Sequence, residues 1–211
     1  MRIGLASDSF GNLDLLERAL GLFQRAQVER IFFLGGRVGD VDAVLARRSG
    51  GSRNAPVPRT DQEFLSAVRG ALDRQASAAR VDPLDGLIVR VASKACPEYE
   101  SGKVPRMQMD LAEGRICCLV HDKSELTRDD IANASILFHG NSAAAGLVQI
   151  GPRCFVTPGH LRAVAPKGHP PTFAIVDVGA HEIALTVFSE ECAELRQDRA
   201  TLATAGKMSV R

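Results

Sequence analysis

Several groups in this 211-residue chain are of types that do chemistry, and their spacing limits what that chemistry is. Asp8 opens the turn Asp8-Ser9-Phe10-Gly11-Asn12 directly after an apolar run, and His121 directly follows Cys118-Leu119-Val120. The plain reading of this pair is a turn-capping aspartate and a strand-terminal histidine whose ring is hydrogen-bonded. Gly35-Gly36-Arg37-Val38-Gly39 follows a second apolar run and offers backbone N–H groups to an anion. It fits neither the dinucleotide glycine fingerprint nor the P-loop, so nucleotide binding is not expected. His139, His160, His169 and His181 are scattered, without the H-E-x-x-H spacing that places two imidazoles on one helix face. Cys96, Cys117, Cys118, Cys154 and Cys192 are odd in number and contain no C-x-x-C pair, which disfavours a disulfide framework and a zinc knuckle. No local signature selects one of them as a nucleophile, and thiols inside apolar runs behave as small core residues.

Strand ends are where these groups fall. Residues 2–7 form an apolar strand, and Asn12 is placed to cap the helix marked by Leu13, Leu16, Ala19, Leu20 and Phe23. Ile31-Phe32-Phe33-Leu34 gives a second strand, so strand, helix and strand fit one βαβ unit and imply a parallel sheet. Residues 38–48 allow a short helix, and 49–59 have a loop's glycine and proline content. From Thr60, residues Phe64, Leu65, Val68, Ala71 and Leu72 mark another helix, followed by a strand over 87–91. Met107, Met109 and Leu111 alternate with polar residues, Glu113-Gly114 turns the chain, and residues 116–120 return as a hairpin. Further strands are expected at 135–139, 146–150, 154–157, 173–178 and 183–188. This order predicts an α/β domain of two packed mixed β-sheets flanked by helices, spanning 1–189 with a flexible loop about 49–59. A C-terminal helix with a frayed tail is expected over 190–211.

Composition excludes other classes. Net charge is +1, which supplies no field toward nucleic acid or an anionic membrane. No apolar run reaches the length of a membrane span, and no signal-peptide core is present, so a cytoplasmic location without membrane insertion is expected. Arg47, Arg48, Arg53 and Arg59 make residues 47–59 locally basic, either a solvated loop or a dock for an acidic partner. With no Trp and one Tyr, stacking on single-stranded nucleic acid is unsupported.

The turn at 8–12 resembles the Asp-x-His-Gly-Asn turn of small bacterial calcineurin-like metallophosphoesterases. Asp8, Gly11 and Asn12 match, and Phe10 stands where the family has histidine. Phe32-Phe33-Leu34-Gly35-Gly36 resembles the strand ending in Gly-Asp, with Gly36 at the bridging aspartate. Ala92-Ser93-Lys94-Ala95 stands at the Gly-Asn-x-Asp motif, His121 keeps a strand-terminal histidine, and Gly140-Asn141-Ser142-Ala143 stands at Gly-His-Thr-His. Thr157-Pro158-Gly159-His160 aligns with an Asn-Pro-Gly-Ser motif.

The resemblance implies a four-layer αββα sandwich with its site at the C-terminal strand ends, and seven former ligand positions: Asp8, Phe10, Gly36, Ser93, His121, Asn141 and Ala143. The family's hydrolysis needs two divalent cations ~3.5–4 Å apart sharing a bridging carboxylate. Gly36 supplies none, so neither a cofactor nor catalytic residues are expected. The expected role is a non-catalytic scaffold or interaction module with another protein as partner, as the phosphoesterase-like subunit of the retromer coat uses a related fold. The alternative is a divergent metal-dependent phosphoesterase with one or two divalent metals (Mn, Zn or Fe). There Asp8, His121 and Asn141 would hold metal, with His139 or His160 assisting. A third reading is small-ligand sensing in the former site.

Overall fold

A computed structural model describes residues 1–49, 82–94 and 96–203. The loop expected about 49–59 and the helix expected from Thr60 fall almost wholly outside them, as does the tail beyond 203. The described elements are β1 (Arg2–Ala6), α1 (Leu13–Arg25), β2 (Arg30–Phe33), α2 (Gly39–Arg48), β3 (Ile88–Arg90) and α3 (Pro97–Glu100). They continue with β4 (Met107–Ala112), β5 (Arg115–Val120), α4 (Arg128–Asn133), β6 (Ile136–His139), β7 (Ala145–Ile150) and β8 (Arg153–Pro158). Strands β9 (Phe173–Val178), β10 (Glu182–Phe188) and β11 (Glu194–Thr201) complete the chain.

Period-2 burial explains the layering. Ile3 and Leu5 of β1 point one way, and with Phe32, Val176 and Leu185 they meet Cys117, Leu119, Ile136, Phe138 and Val156 of the second sheet in one apolar core. On the opposite face, Ala6, Ile31, Phe33 and Ile175 pack against Leu16, Leu20 and Phe23 of α1 and Val41 and Val44 of α2. Gly4 permits this approach, since a Cβ there would lie 2.7 Å from the Phe23 ring. The far face of the second sheet is covered through Cys118 and Leu137 by Ile131 of α4, whose first turn is closed by the reciprocal Thr127–Asp130 capping box.

The first sheet runs β11-β10-β9-β1-β2-β3 and the second β4-β5-β6-β8-β7. Strands β1, β2 and β3 are parallel, as are β5, β6 and β8. The arrangement is the expected pair of mixed sheets with helices outside them. All five cysteines are free.

Two expectations are corrected. Residues from 190 onward do not form a helix: Glu194–Thr201 is a strand whose register with β10 runs from Glu182↔Thr201 to Phe188↔Glu194. The domain therefore continues past 189. Glu, Leu, Arg and Gln favour a helix locally, but the ladder offered by β10 satisfies the backbone groups and overrides that preference. Asn12 does sit at the N-cap of α1, yet its side chain makes no cap hydrogen bond and donates Nδ2–H to Leu161 O at 2.8 Å.

Candidate functional site

The turns after β1, β2, β5, β6 and β8 are stitched to one another by backbone hydrogen bonds. Asp8 N–H donates to Gly35 O at 3.0 Å, Gly140 N–H to Val120 O at 3.2 Å, and Leu161 N–H to Ser7 O at 3.0 Å. Parallel strands place their C-terminal turns at one end of the sheets, where open α/β folds carry their sites. Three non-glycine residues in these turns adopt left-handed backbone: Asp8 (φ +55°), Phe10 (φ +43°) and Asn141 (φ +46°). Such conformations cost of order 1–3 kcal/mol each and persist only where surroundings enforce them. Asp40, at the start of α2, provides one restraint: its Oδ2 accepts from Ser9 Oγ and Gly11 N–H, both at 2.7 Å.

Asp8 is the centre of the cluster and is completely buried. Its Oδ1 accepts from His121 Nε2 at 3.0 Å and from Arg162 Nη2 at 3.4 Å. Its Oδ2 accepts from Asn141 N–H at 2.9 Å and Ser7 Oγ at 3.2 Å. Burial alone would raise this carboxyl, but the hydrogen bond and charge of His121, the Arg162 guanidinium and Ser7 outweigh it and hold it below its ordinary value of 3.8.

The remaining former ligand positions do not reach this carboxylate with metal-binding side chains. Asn141 turns its amide to Asp122 Oδ2 at 2.7 Å. Ser93 is buried after β3 and joins none of the hydrogen bonds to Asp8. Ala143 is half-buried and brings only a methyl group. Phe10 is 42% exposed at the mouth of the site. Gly36 has φ +98°, and a Cβ there would lie 2.9 Å from Asp8 Cα; at Gly35 it would meet the His121 ring at 2.2 Å. With this backbone, position 36 cannot carry a bridging carboxylate.

The two candidate assisting histidines are held by the protein itself. His160 Nδ1 accepts from Arg162 N–H at 3.1 Å and its Nε2 donates to His169 O at 3.0 Å, so both ring nitrogens are engaged. His139 donates Nδ1–H to Gly140 O at 3.0 Å. Burial pushes both imidazoles below their ordinary value, toward the neutral form. Burial likewise pushes the Cys117 thiol up to about 12 and Cys118 up to about 11, which removes them as nucleophiles.

Two participants carry no sequence signal: Asp40, the anchor of the 8–12 turn, and Arg162, 154 residues from Asp8. The Arg162 guanidinium carbon lies 4.3 Å from the centroid of the Phe10 ring, and its Nε is buried without a hydrogen-bond partner. The donor set does not fit a dinuclear metal centre: among the described residues no group of three or more His, Cys, Asp or Glu is arranged to hold an ion. Both oxygens of Asp8 already accept from protein donors.

Comparison with known proteins agrees with this architecture. A predicted phosphoesterase from Streptococcus pneumoniae TIGR4 is 14% identical with a TM-score of 0.60, covering 95% of this chain and 97% of its own. YfcE, a phosphoesterase from E. coli, is 18% identical with a TM-score of 0.55 over 94% and 98% of the two chains. Vps29 of Chaetomium thermophilum is 16% identical with a TM-score of 0.57 over 97% and 99%, and has also been solved with a cyclic peptide. At these identities the likeness establishes the fold. No curated protein matches by sequence. The model of the calcineurin-like phosphoesterase superfamily domain matches residues 1–181, and the chain belongs to that superfamily.

Proposed function

We propose that this protein is a non-catalytic member of the superfamily that works in the cytoplasm as a protein-interaction or scaffold module. The observation that carries the reading is the engagement of Asp8: both oxygens of the one strong carboxylate left among the former ligand positions accept hydrogen bonds from protein groups. Hydrolysis by a cation pair needs those oxygens and a bridging carboxylate at position 36, where the main chain of Asp8 fills the space. An interaction role is supported by exposed apolar side chains on a rigid double sheet: Phe10 at the site mouth, and Met109, Leu111 and Ile116 on the β4–β5 hairpin. The described residues contain no helix long and apolar enough to cross a membrane.

The alternative, a divergent metal-dependent phosphoesterase, draws on the meeting of Asp8, His121 and Asn141 at one point. Metal analysis by mass spectrometry after incubation with manganese, alongside hydrolysis of a generic phosphodiester, separates the two. The scaffold reading expects no stoichiometric metal, no turnover, and a stoichiometric protein complex that forms without metal. About two metals per chain, with turnover lost in Asp8→Ala, would establish the enzyme instead.

A further inference from the structure

We infer that Arg162 is the resident counter-cation of Asp8, and that Phe10 is the platform that holds it there. The inference rests on the non-catalytic reading above and says what took the place of the cation pair. A fully buried carboxylate is retained only where it is paired and hydrogen-bonded. Asp8 has four partners, and of these Arg162 alone carries a charge that pH does not remove. Its guanidinium reaches Asp8 Oδ1 at 3.4 Å while lying 4.3 Å from the centroid of the Phe10 ring, the distance of a cation–π contact. Phe10 adopts φ +43° to present that ring, and the backbone N–H of Arg162 is fixed on His160 Nδ1. The aromatic residue at the family's histidine position therefore has a stated task, and the losses at positions 10 and 36 belong to one rearrangement. A cation held between Arg162 and Asp8 would meet a positive charge already in place, so the arrangement disfavours divalent ions at Asp8.

A double-mutant cycle tests the inference on the full chain. Arg162→Met is expected to lower Tm by about 3–6 °C in the wild-type background and by less than about 1 °C in an Asp8→Asn background, where there is no charge to pair. Arg162→Lys, which keeps the charge and loses the planar stack, is expected to fall between, and it serves as the comparison if Arg162→Met does not fold. A loss of the same size in both backgrounds would show that Arg162 only packs on Phe10, and overturns the inference. That result leaves the non-catalytic reading intact, because the cycle measures neither turnover nor partner binding. Manganese chloride alone is expected to leave the wild-type Tm unmoved, and a rise overturns the inference.

Discussion

Replacing Gly36 with alanine isolates what the β2 turn contributes. The residue has φ +98°, a conformation that L side chains rarely adopt, and leaving an L residue there costs of order 1–3 kcal/mol. The added Cβ would also lie 2.9 Å from Asp8 Cα and 3.2 Å from Ser9 N, both backbone atoms of a turn already pinned by Asp40 and Gly35. Overpacking of this kind costs about 1–3 kcal/mol because the neighbours cannot swing away. The two effects share any relaxation, so a total of about 3 kcal/mol is expected for Gly36→Ala, or a Tm lowered by about 6–12 °C. Urea unfolding followed by circular dichroism measures it directly. Gly102→Ala is the control, since Gly102 has φ +69° with nothing within 4 Å of a Cβ and should show only the backbone penalty, about 1 kcal/mol. Gly36→Asp is expected to be at least as destabilised as Gly36→Ala and to acquire no manganese. Equal losses at positions 36 and 102, or a Gly36→Asp protein that binds manganese, would refute the claim that the main chain of Asp8 fills this space.

Acidification and thiol reactivity give independent checks. Burial holds His139 and His160 below their ordinary value of 6.5, so their contribution to stability is present above that value and is lost as pH falls. Asp8, held below 3.8, adds a second contribution that is lost only as pH falls through its still lower folded value. The urea midpoint is therefore expected to be lower at pH 5.5 than at pH 7.5, with part of that drop removed in His139→Gln; an unchanged midpoint would contradict the burial described for these rings. In native protein, a thiol reagent is expected to modify the half-buried Cys192 first, and to reach Cys117, Cys118 and Cys154 only after unfolding. Rapid native labelling of Cys117, whose thiol is pushed up to about 12, would show that the intersheet core opens.

The sheets were legible because their strands are buried on both faces or alternate cleanly: Phe173–Val178 was expected with the bounds the structure shows, and the Glu113-Gly114 turn sits between β4 and β5 as the pattern required. Elements without such a pattern were not legible. Strand β11 is exposed at most of its positions, so no apolar periodicity marks it, and only the ladder with β10 defines it. At the site, Asp8 and His121 could be found because each ends an apolar run. Arg162 and Asp40 could not, since their partners lie 154 and 31 residues away and pairing at such separations leaves no local spacing to read. Gly36 was visible as a missing ligand, but the reversal of its backbone toward Asp8 is a property of coordinates alone.

Strand β11 also bears on how the molecule behaves in concentrated solution. It closes one side of the six-stranded sheet, and its own free side would template a strand from a neighbouring chain if it were flat and apolar. Instead it presents Glu194, Arg196, Asp198 and Arg199, with Arg196 Nη2 donating to Ala145 O of β7 at 2.6 Å and the register shifting between Val187 and Phe188. Charge, a crosslink to the second sheet and a local irregularity are the devices by which natural sheets resist fibre-like polymerisation. A chain ending in a helix at this place would leave β10, with Leu185 and Val187 in the intersheet core, as the exposed ribbon.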